Sequence, residues 1–208
     1  MKKIPFTRGA ALLLLGLSLT FFLACQDDEK PNRNPSNQIL TELDADALLF
    51  MLEEEKLARD TYTYLNNLWS VTQFANIKDS EQSHMDAIEN LLIRYDITYN
   101  ILPHGDFANQ DLQNLYDQFI TDGSVNQDQA LQIGATIEDL DIVDLQDYID
   151  ATFNTDLITV YNRLQCGSRN HLRSFVSVIE NNGDSYNPQF LTETEFNTII
   201  QDNHEQCN

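Results

Sequence analysis

Five side chains of the types that bind transition metals interrupt the apolar positions of four predicted helices. They are Glu55, Glu81, His84, Glu138 and His171. Each lies three or four residues from apolar neighbours, and this spacing places side chains on one face of a helix. Glu81 and His84 are one helical turn apart, so they share a face and form the most specific part of the pattern. The sequence therefore predicts carboxylates and imidazoles inside a helical core.

The position of these residues along their helices points to a common site. Each of the five lies near the middle of its helix, so helices packed side by side would hold them at similar heights, at about 1.5 Å per residue. Burying several ionised carboxylates without counter-charge costs several kcal/mol per group. A divalent cation supplies that charge, and mixed carboxylate and imidazole ligands suit iron or manganese, or else zinc. We therefore predict one or two bound metal ions.

Each part of the pattern also has a plainer interpretation when it stands alone. Glu55 and Arg59 could form a surface salt bridge, because they are four residues apart on a helix. The motif that begins at Glu81 recurs by chance on exposed helices. Glu138 has acidic neighbours and could belong to a solvated face, and His171 stands between arginines that could form a polar surface. The combination on four helices favours the metal site.

Only one of three consecutive acids is predicted to face this core. The apolar positions of the first helix include Glu55 and exclude its neighbours Glu53 and Glu54. These two neighbours are therefore expected to point away from the site.

Four long segments with helical periodicity position the candidate ligands. They cover approximately residues 42–68, 72–96, 126–150 and 154–181. A connection of about 30 residues separates the second segment from the third and contains a short predicted helix near 109–121, and another helix is predicted near 192–203. Two helical hairpins joined by one long crossover have the ferritin-like connectivity. The fold prediction is all-α: a ferritin-like four-helix bundle with a short extra helix in the crossover and a C-terminal helix.

The charge of the chain restricts its partners. Its 208 residues include 12 Lys+Arg and 33 Asp+Glu, which gives a net charge of -21. Nucleic acid is therefore excluded as a partner, and the folded domain is not expected to lie on an anionic membrane.

The N-terminal residues are predicted to export and anchor the protein. Three basic residues precede an apolar run of about 15 residues that ends at Ala24, which is shorter than the roughly 20 residues of a membrane span and typical of a signal peptide. The run and Cys25 resemble the bacterial lipobox, whose cysteine is acylated; an ordinary secretory signal is the alternative. We expect a signal peptide at 1–24, a disordered acidic tether at 25–40 and a folded domain at 41–208. This predicts an outer-membrane lipoprotein anchored through a lipid on Cys25.

Two further cysteines, Cys166 and Cys207, are candidates for a disulfide. In an oxidising compartment the bond would close a loop of about 40 residues and stabilise the fold by about 3–4 kcal/mol. Two unlinked thiols are the alternative, because sequence alone does not show that the residues meet.

Several of these segments resemble known ferritin-like proteins. Residues 55–62 are similar to the first-helix pattern of rubrerythrins, and residues 81–84 match their second-helix Glu-x-x-His motif. Residues 134–138 and 167–171 resemble an uncharacterised family of exported ferritin-like domains from bacteria and archaea. The resemblance covers roughly residues 45–200. It implies a ferritin-like bundle with a carboxylate-bridged two-metal centre, and it brings no established substrate.

The same resemblance implies roles for individual residues. The terminal ligands would be Glu55 and Glu138, the bridging ligand Glu81, and the nitrogen ligands His84 and His171. Ser168 stands where di-iron proteins carry the acid of a second Glu-x-x-His motif. Asp141 could supply that carboxylate, or the centre could be asymmetric or mononuclear. Tyr62 and Tyr161 are candidate hydrogen-bond partners of the ligands, with simple packing as the alternative.

Two helical glycines lie close to the predicted ligands. Gly134 and Gly167 each destabilise a helix by about 1 kcal/mol relative to alanine. A close approach between helices or a local bulge would explain them, and a tolerated small residue is the alternative.

Three classes of function are compatible with these features. The leading hypothesis is a metal-dependent oxidoreductase that activates oxygen or peroxide or oxidises ferrous iron. No cysteine cluster is left to hold an iron–sulfur or rubredoxin-type centre, so a peroxidase would need an external electron donor. The alternatives are a tethered metal-binding or scavenging module and a structural lipoprotein with a vestigial polar core.

Overall fold

The computed structural model describes residues 39–207, which contain six α-helices and no strand. The helices are α1 Glu42–Trp69, α2 Thr72–Arg94, α3 Gln110–Gly123, α4 Gln127–Ala151, α5 Thr155–Asn181 and α6 Glu193–Gln201. The all-helical prediction is confirmed, and every predicted helix is present to within two residues at each end. The predicted signal peptide, Cys25 and nearly all of the predicted tether lie outside the described residues.

Side-chain caps define where five of the six described helices begin. Five helices begin after a Thr or Asn whose side chain accepts a hydrogen bond from a backbone N–H of the first turn. The residues are Thr41, Asn109, Asn126, Asn154 and Thr192. The exception, α2, follows α1 after two residues, of which Ser70 has a left-handed backbone with φ 55°. This short turn makes α1 and α2 a tight hairpin.

The four long helices surround a shared interior. α1 packs along α2 and α4 packs along α5, while α2 also contacts α5 and α1 contacts α4. The short α3 lies against α1 and α4, and α6 lies against α5. None of the described helices is long and apolar enough to cross a bilayer. Four helices that contact one another in this way can present side chains from all four to one interior site.

Two apolar clusters lie on either side of the predicted ligands. One cluster contains Tyr62, Phe74 and Phe175, and the other contains Met51 and Ile88. Along α1, α2 and α5 the residues of one cluster precede the ligands and those of the other follow them. The ligands therefore form a polar layer between two dry regions, where unpaired charge is most costly.

A buried ion pair holds the crossover against α1. Lys56 Nζ lies 2.6 Å from Asp60 Oδ2 and donates to the carbonyl oxygens of Pro103 and Asp106 at 3.0 Å each. Asp60 also accepts the backbone N–H of Gly105. Burial alone would raise the pKa of Asp60, but the hydrogen bonds from Lys56 and Gly105 outweigh burial and lower it. The pair fixes the crossover close to the ligand-bearing turn of α1.

Residues 202–207, here called the C-terminal strap, are held against α5 by covalent and ionic contacts. Cys207 forms a disulfide with Cys166. Glu205 accepts hydrogen bonds from Arg169 Nε at 2.8 Å and from Arg173 Nη1 at 3.1 Å. The strap therefore has a defined position beside the turns of α5 that carry the predicted ligand.

Candidate metal centre

The structure brings all five predicted ligands into one buried site. Glu55, Glu81 and His84 form one group, and Glu81, Glu138 and His171 form a second. Within each group the candidate ligand atoms all lie within 4.8 Å of one another. The three carboxylates are no more than 2% exposed. Glu81 belongs to both groups, so the two candidate cation positions share one carboxylate.

Glu81 presents a different oxygen to each group. Its Oε2 lies 2.9 Å from Nδ1 of His84, and its Oε1 lies 2.8 Å from Nδ1 of His171. Glu55 Oε2 is 3.1 Å from the same His84 nitrogen, and Glu138 Oε2 is 3.3 Å from that of His171. The two imidazole rings stack with their centroids 5.7 Å apart. In this arrangement Glu81 would be a ligand at both candidate cation positions, each of which would also have one imidazole and one further carboxylate.

Several of these facing atoms lack hydrogen-bond partners. Among the described residues, Glu55 Oε1, Glu81 Oε1 and His171 Nδ1 are buried without one. The last two atoms are close together, but their geometry is not that of a hydrogen bond. Unpaired buried polar atoms are rare because they are costly. A cation that accepts their lone pairs removes the cost, so these residues fit a metal ion.

The pKa values show how the site balances its charge without a cation. Burial raises the pKa of Glu55 well above its ordinary value, and burial also raises that of Glu138. Burial would raise the pKa of Glu81 as well, but the charges of His171 and His84 outweigh it and lower the value. The pKa of His171 is about 10, because Glu81 and Glu138 outweigh the opposing effect of burial. In the metal-free state these groups therefore hold protons that a divalent ion would displace.

Of the two candidate tyrosines, only Tyr62 contacts a ligand. Its hydroxyl donates to Glu138 Oε1 at 2.5 Å and lies 3.2 Å from the carbonyl oxygen of Gly134. Tyr161 is fully buried in an apolar cluster, and its hydroxyl has no hydrogen-bond partner among the described residues. Tyr62 can therefore orient a ligand, whereas Tyr161 packs.

Ser168 of α5 stands where a second Glu-x-x-His motif would have its acid, and it contacts Asp141 of α4. Ser168 Oγ donates a hydrogen bond to Asp141 Oδ2, while Asp141 Oδ1 is buried without a partner. Burial raises the pKa of Asp141 to about 8, and the negative charges of Glu138 and Glu81 also raise it, although the hydrogen bond from Ser168 acts in the opposite direction. Asp141 lies outside both ligand groups. The serine therefore holds an acid of α4 beside the centre.

The expectation that Glu54 points away from the core is wrong. Glu54 is 3% exposed and lies near Asp144. Burial raises its pKa well above the ordinary value, and the negative charges of Asp141 and Asp144 add to the effect. The reason is that α1 contacts α2, α3 and α4, so more than one of its faces is covered. Glu53, in contrast, accepts backbone N–H groups of Ala108 and Asn109 ahead of α3.

The two helical glycines allow close approach beside the site. A Cβ at Gly167 would lie 2.7 Å from His84 Nε2, and a Cβ at Gly134 would lie 2.5 Å from the Phe175 ring. Contacts this short do not occur for real Cβ atoms. The imidazole of His84 therefore lies against the backbone of α5, in space that only a glycine leaves free.

A pocket of about 550 Å3 with both polar and apolar walls, here called the access pocket, leads from the surface to the two imidazoles. Its walls come from α2, α5 and the C-terminal strap, and they include Ser83, His84, Arg163, Asn170, His171 and His204. The side chains of the two histidine ligands are 11% and 12% exposed. A larger apolar cavity of about 790 Å3 is lined by residues such as Phe50 and Tyr148 and by none of the five ligands.

These features define an all-helical protein with a buried glutamate and histidine cluster that can hold metal. Comparison with protein families matches residues 44–203 to an uncharacterized protein domain (DUF2202), and the chain therefore belongs to this family. It is 43% identical over 171 residues to uncharacterized protein MJ0754 of Methanocaldococcus jannaschii, covering 81% of this chain and 92% of that protein. The crystal structure of hypothetical protein MJ0754 from Methanococcus jannaschii is similar, with a TM-score of 0.79 and 43% identity, over 81% of this chain and 97% of that one. The helical arrangement is compatible with a ferritin-like fold.

Proposed function

We propose that the four long helices form a ferritin-like four-helix bundle around a two-metal carboxylate and histidine centre. The observation that supports this most directly is the sharing of Glu81 between two ligand groups, with one oxygen directed to each. Unpaired buried ligand atoms are the second support. Iron or manganese suits this ligand set best, and zinc is the alternative.

Each residue of the site has a role in holding the ions. Glu55 and His84 would complete one position, and Glu138 and His171 would complete the other. Tyr62 donates a hydrogen bond to Glu138 and so orients that carboxylate toward the ion. When bound, the ions supply Lewis-acid and redox chemistry in a largely dry interior. The protein residues hold them in place and exclude water on the sides of the two apolar clusters.

We propose that the loaded centre performs redox chemistry on ferrous iron, oxygen or peroxide. The access pocket supports this proposal, because it gives a molecule in solution a polar route to the two imidazoles. Both cysteines of the described residues are joined in a disulfide. Reduction of peroxide would therefore need electrons from an external donor.

Elemental analysis of the purified protein tests the metal proposal first. We expect one or two iron or manganese ions per chain, together with consumption of peroxide or oxidation of added ferrous iron. A protein that holds metal but performs neither reaction would be a binding or scavenging module. A protein that takes up none of these metals after reconstitution would refute the centre itself.

The location of the protein is a separate proposal that depends on the sequence near Cys25. We propose an outer-membrane lipoprotein whose acyl chains on Cys25 hold the acidic domain in the envelope. Growth with radiolabelled palmitate tests this, because the wild-type chain should incorporate label and Cys25→Ala should not. Equal labelling of the two chains would contradict it.

A further inference from the structure

We propose that the access pocket binds a small oxyanion, a carboxylate or a phosphate, above the imidazoles of the metal centre. Arg163 on α5 is the cation that recognises it. The inference extends the proposed function, since it gives the centre a charged substrate or co-ligand, but it depends on different residues. Its support comes from the distribution of positive charge, from the orientation of the imidazoles and from the size of the pocket.

Arg163 differs from the other basic residues that the structure describes. Residues 39–207 contain seven Lys and Arg, and six of these are ion-paired with Asp or Glu. Within this range Arg163 alone has no carboxylate partner, and it lines the access pocket. In a chain with a net charge of -21, acids are abundant enough to pair every cation. A guanidinium left free at this pocket is available to an anion from solution.

The carboxylate that lines the access pocket is already paired with other cations. Among the residues that line the access pocket, Glu205 of the strap is the only carboxylate. Both Arg169 and Arg173 donate hydrogen bonds to it. Glu205 is therefore already paired with two cations, and it leaves the guanidinium of Arg163 without a carboxylate partner in the pocket.

One of the two histidine ligands, His171, adds a hydrogen-bond donor to the same pocket. Each directs Nδ1 toward the carboxylates, His84 toward Glu55 and Glu81 and His171 toward Glu81 and Glu138. A neutral imidazole that uses Nδ1 as a ligand carries its hydrogen on Nε2. The Nε2–H of His171 can therefore donate to an anion that Arg163 holds, whereas Nε2 of His84 lies against the backbone of α5 at Gly167. The anion would polarise His171 as a ligand of the centre.

The dimensions of the access pocket indicate the size of the anion. About 550 Å3 is far more than dioxygen or peroxide fills and is in the range of sites for small organic molecules. Serine, asparagine and histidine side chains line it together with Ala87 and Leu164, which suits a small ligand that has both a charged group and a carbon skeleton. The geometry therefore points to a small soluble carboxylate or phosphate compound.

Equilibrium dialysis with radiolabelled phosphate and acetate, at constant ionic strength set with NaCl, tests this proposal. We expect Arg163→Gln to weaken binding of the favoured anion about tenfold or more. The matched control is Arg94→Gln, which removes the same charge but takes it from an Arg that is paired with Asp156 and lies outside the access pocket. The control should bind within about twofold of the wild type. Equal weakening in both variants, or no binding of either anion, would overturn the proposal.

The same measurement on metal-loaded and chelator-treated protein separates this proposal from the metal proposal. Binding that depends on Arg163 in a protein unable to hold metal would support the anion site and refute the centre. Normal metal content with equal anion binding by both variants would refute the anion site alone. Anion binding that is lost on chelation and is insensitive to Arg163→Gln would show direct binding to metal, and this would also refute it.

Discussion

Glu81 is the residue on which both candidate cation positions depend. Each of its oxygens faces a different imidazole, whereas Glu55 and Glu138 each serve one group only. Loss of a terminal ligand should therefore affect one ion, and loss of the shared ligand should affect both. Replacing a buried charged residue also changes the stability of the fold. Metal content is therefore the direct measure of the role of Glu81 as a ligand.

We accordingly predict that Glu81→Ala lowers the bound metal to below about half of the wild-type content. Glu55→Ala should retain more, because the second ligand group stays complete. Elemental analysis after reconstitution measures both, with Glu180→Ala as the control at an exposed position of α5. Wild-type metal content in Glu81→Ala would show that Glu81 is not a shared ligand.

A second prediction concerns Glu54, the buried acid that helical periodicity missed. The pKa of Glu54 is raised above its ordinary 4.5 by burial and nearby acids. The folded state therefore holds a proton that the unfolded chain releases above pH 4.5, and stability falls as pH rises through that range. Glu54→Gln cannot ionise, so it should raise the free energy of unfolding of the metal-free protein at pH 8 by about 1 kcal/mol or more.

Urea unfolding of the two metal-free proteins at pH 4.5 and pH 8 measures this effect. The difference should shrink toward the lower pH, where Glu54 is protonated in the folded state and about half protonated in the unfolded chain. A difference that stays the same at both pH values would show that the charge of Glu54 is not its cause.

At the scale of elements, α5 positions an imidazole that belongs to α2. Gly167 leaves the space in which the ring of His84 lies against the helix backbone. Helix propensity alone would favour alanine there by about 1 kcal/mol. The ring of His84 needs the space that a Cβ would fill, and this requirement favours glycine instead. It explains why a poor helix former stands in the middle of a long helix.

Gly167→Ala should therefore weaken metal binding in the group that contains His84 by about 10- to 100-fold, because a Cβ would displace the ring. Metal titration of the variant measures the affinity, and Ser177→Ala on an exposed face of α5 provides the control. Unchanged affinity in Gly167→Ala would mean that the ring can move without leaving its position in the site.

The elements that were predictable from sequence are those with periodic burial and capped ends. All six described helices were predicted from the sequence. All five predicted ligands lie together, because each one interrupts an apolar stripe near the middle of its helix. The burial of Glu54 was not predicted, because the apolar periodicity of α1 indicates one covered face of the helix. In the structure three other helices cover α1. The buried Lys56 and the ionic contacts of the C-terminal strap were not predicted, although the disulfide of the strap was one of the predicted candidates. In both cases one side of the contact is an irregular backbone segment, which carries no periodicity.

At the scale of the whole molecule, the interior concentrates acids that the fold alone does not neutralise. Asp141 illustrates this, since its pKa rises from an ordinary 3.8 to about 8, chiefly through burial. The metal-free protein therefore binds this proton more tightly when folded than when unfolded. The contribution of Asp141 to the free energy of unfolding is fully present below pH 3.8 and is lost progressively as the pH rises to about 8.

We predict that chelation lowers the melting temperature more at pH 8 than at pH 5. Metal supplies the missing positive charge where the carboxylates are ionised, whereas protons already supply part of it at the lower pH. Differential scanning calorimetry of metal-loaded and metal-free protein at both pH values measures the change. A chelation effect that does not grow with pH would contradict a cation bound among these carboxylates.

The disulfide between Cys166 and Cys207 joins the C-terminal end of the chain to the helix turn beside the access pocket. One wall of that pocket is therefore held by a covalent bond as well as by the ion pairs of Glu205. Salt screens ion pairs at a protein surface but leaves a disulfide intact. The strap should therefore keep its place on α5 at ionic strengths that weaken the charge contacts elsewhere on this acidic protein.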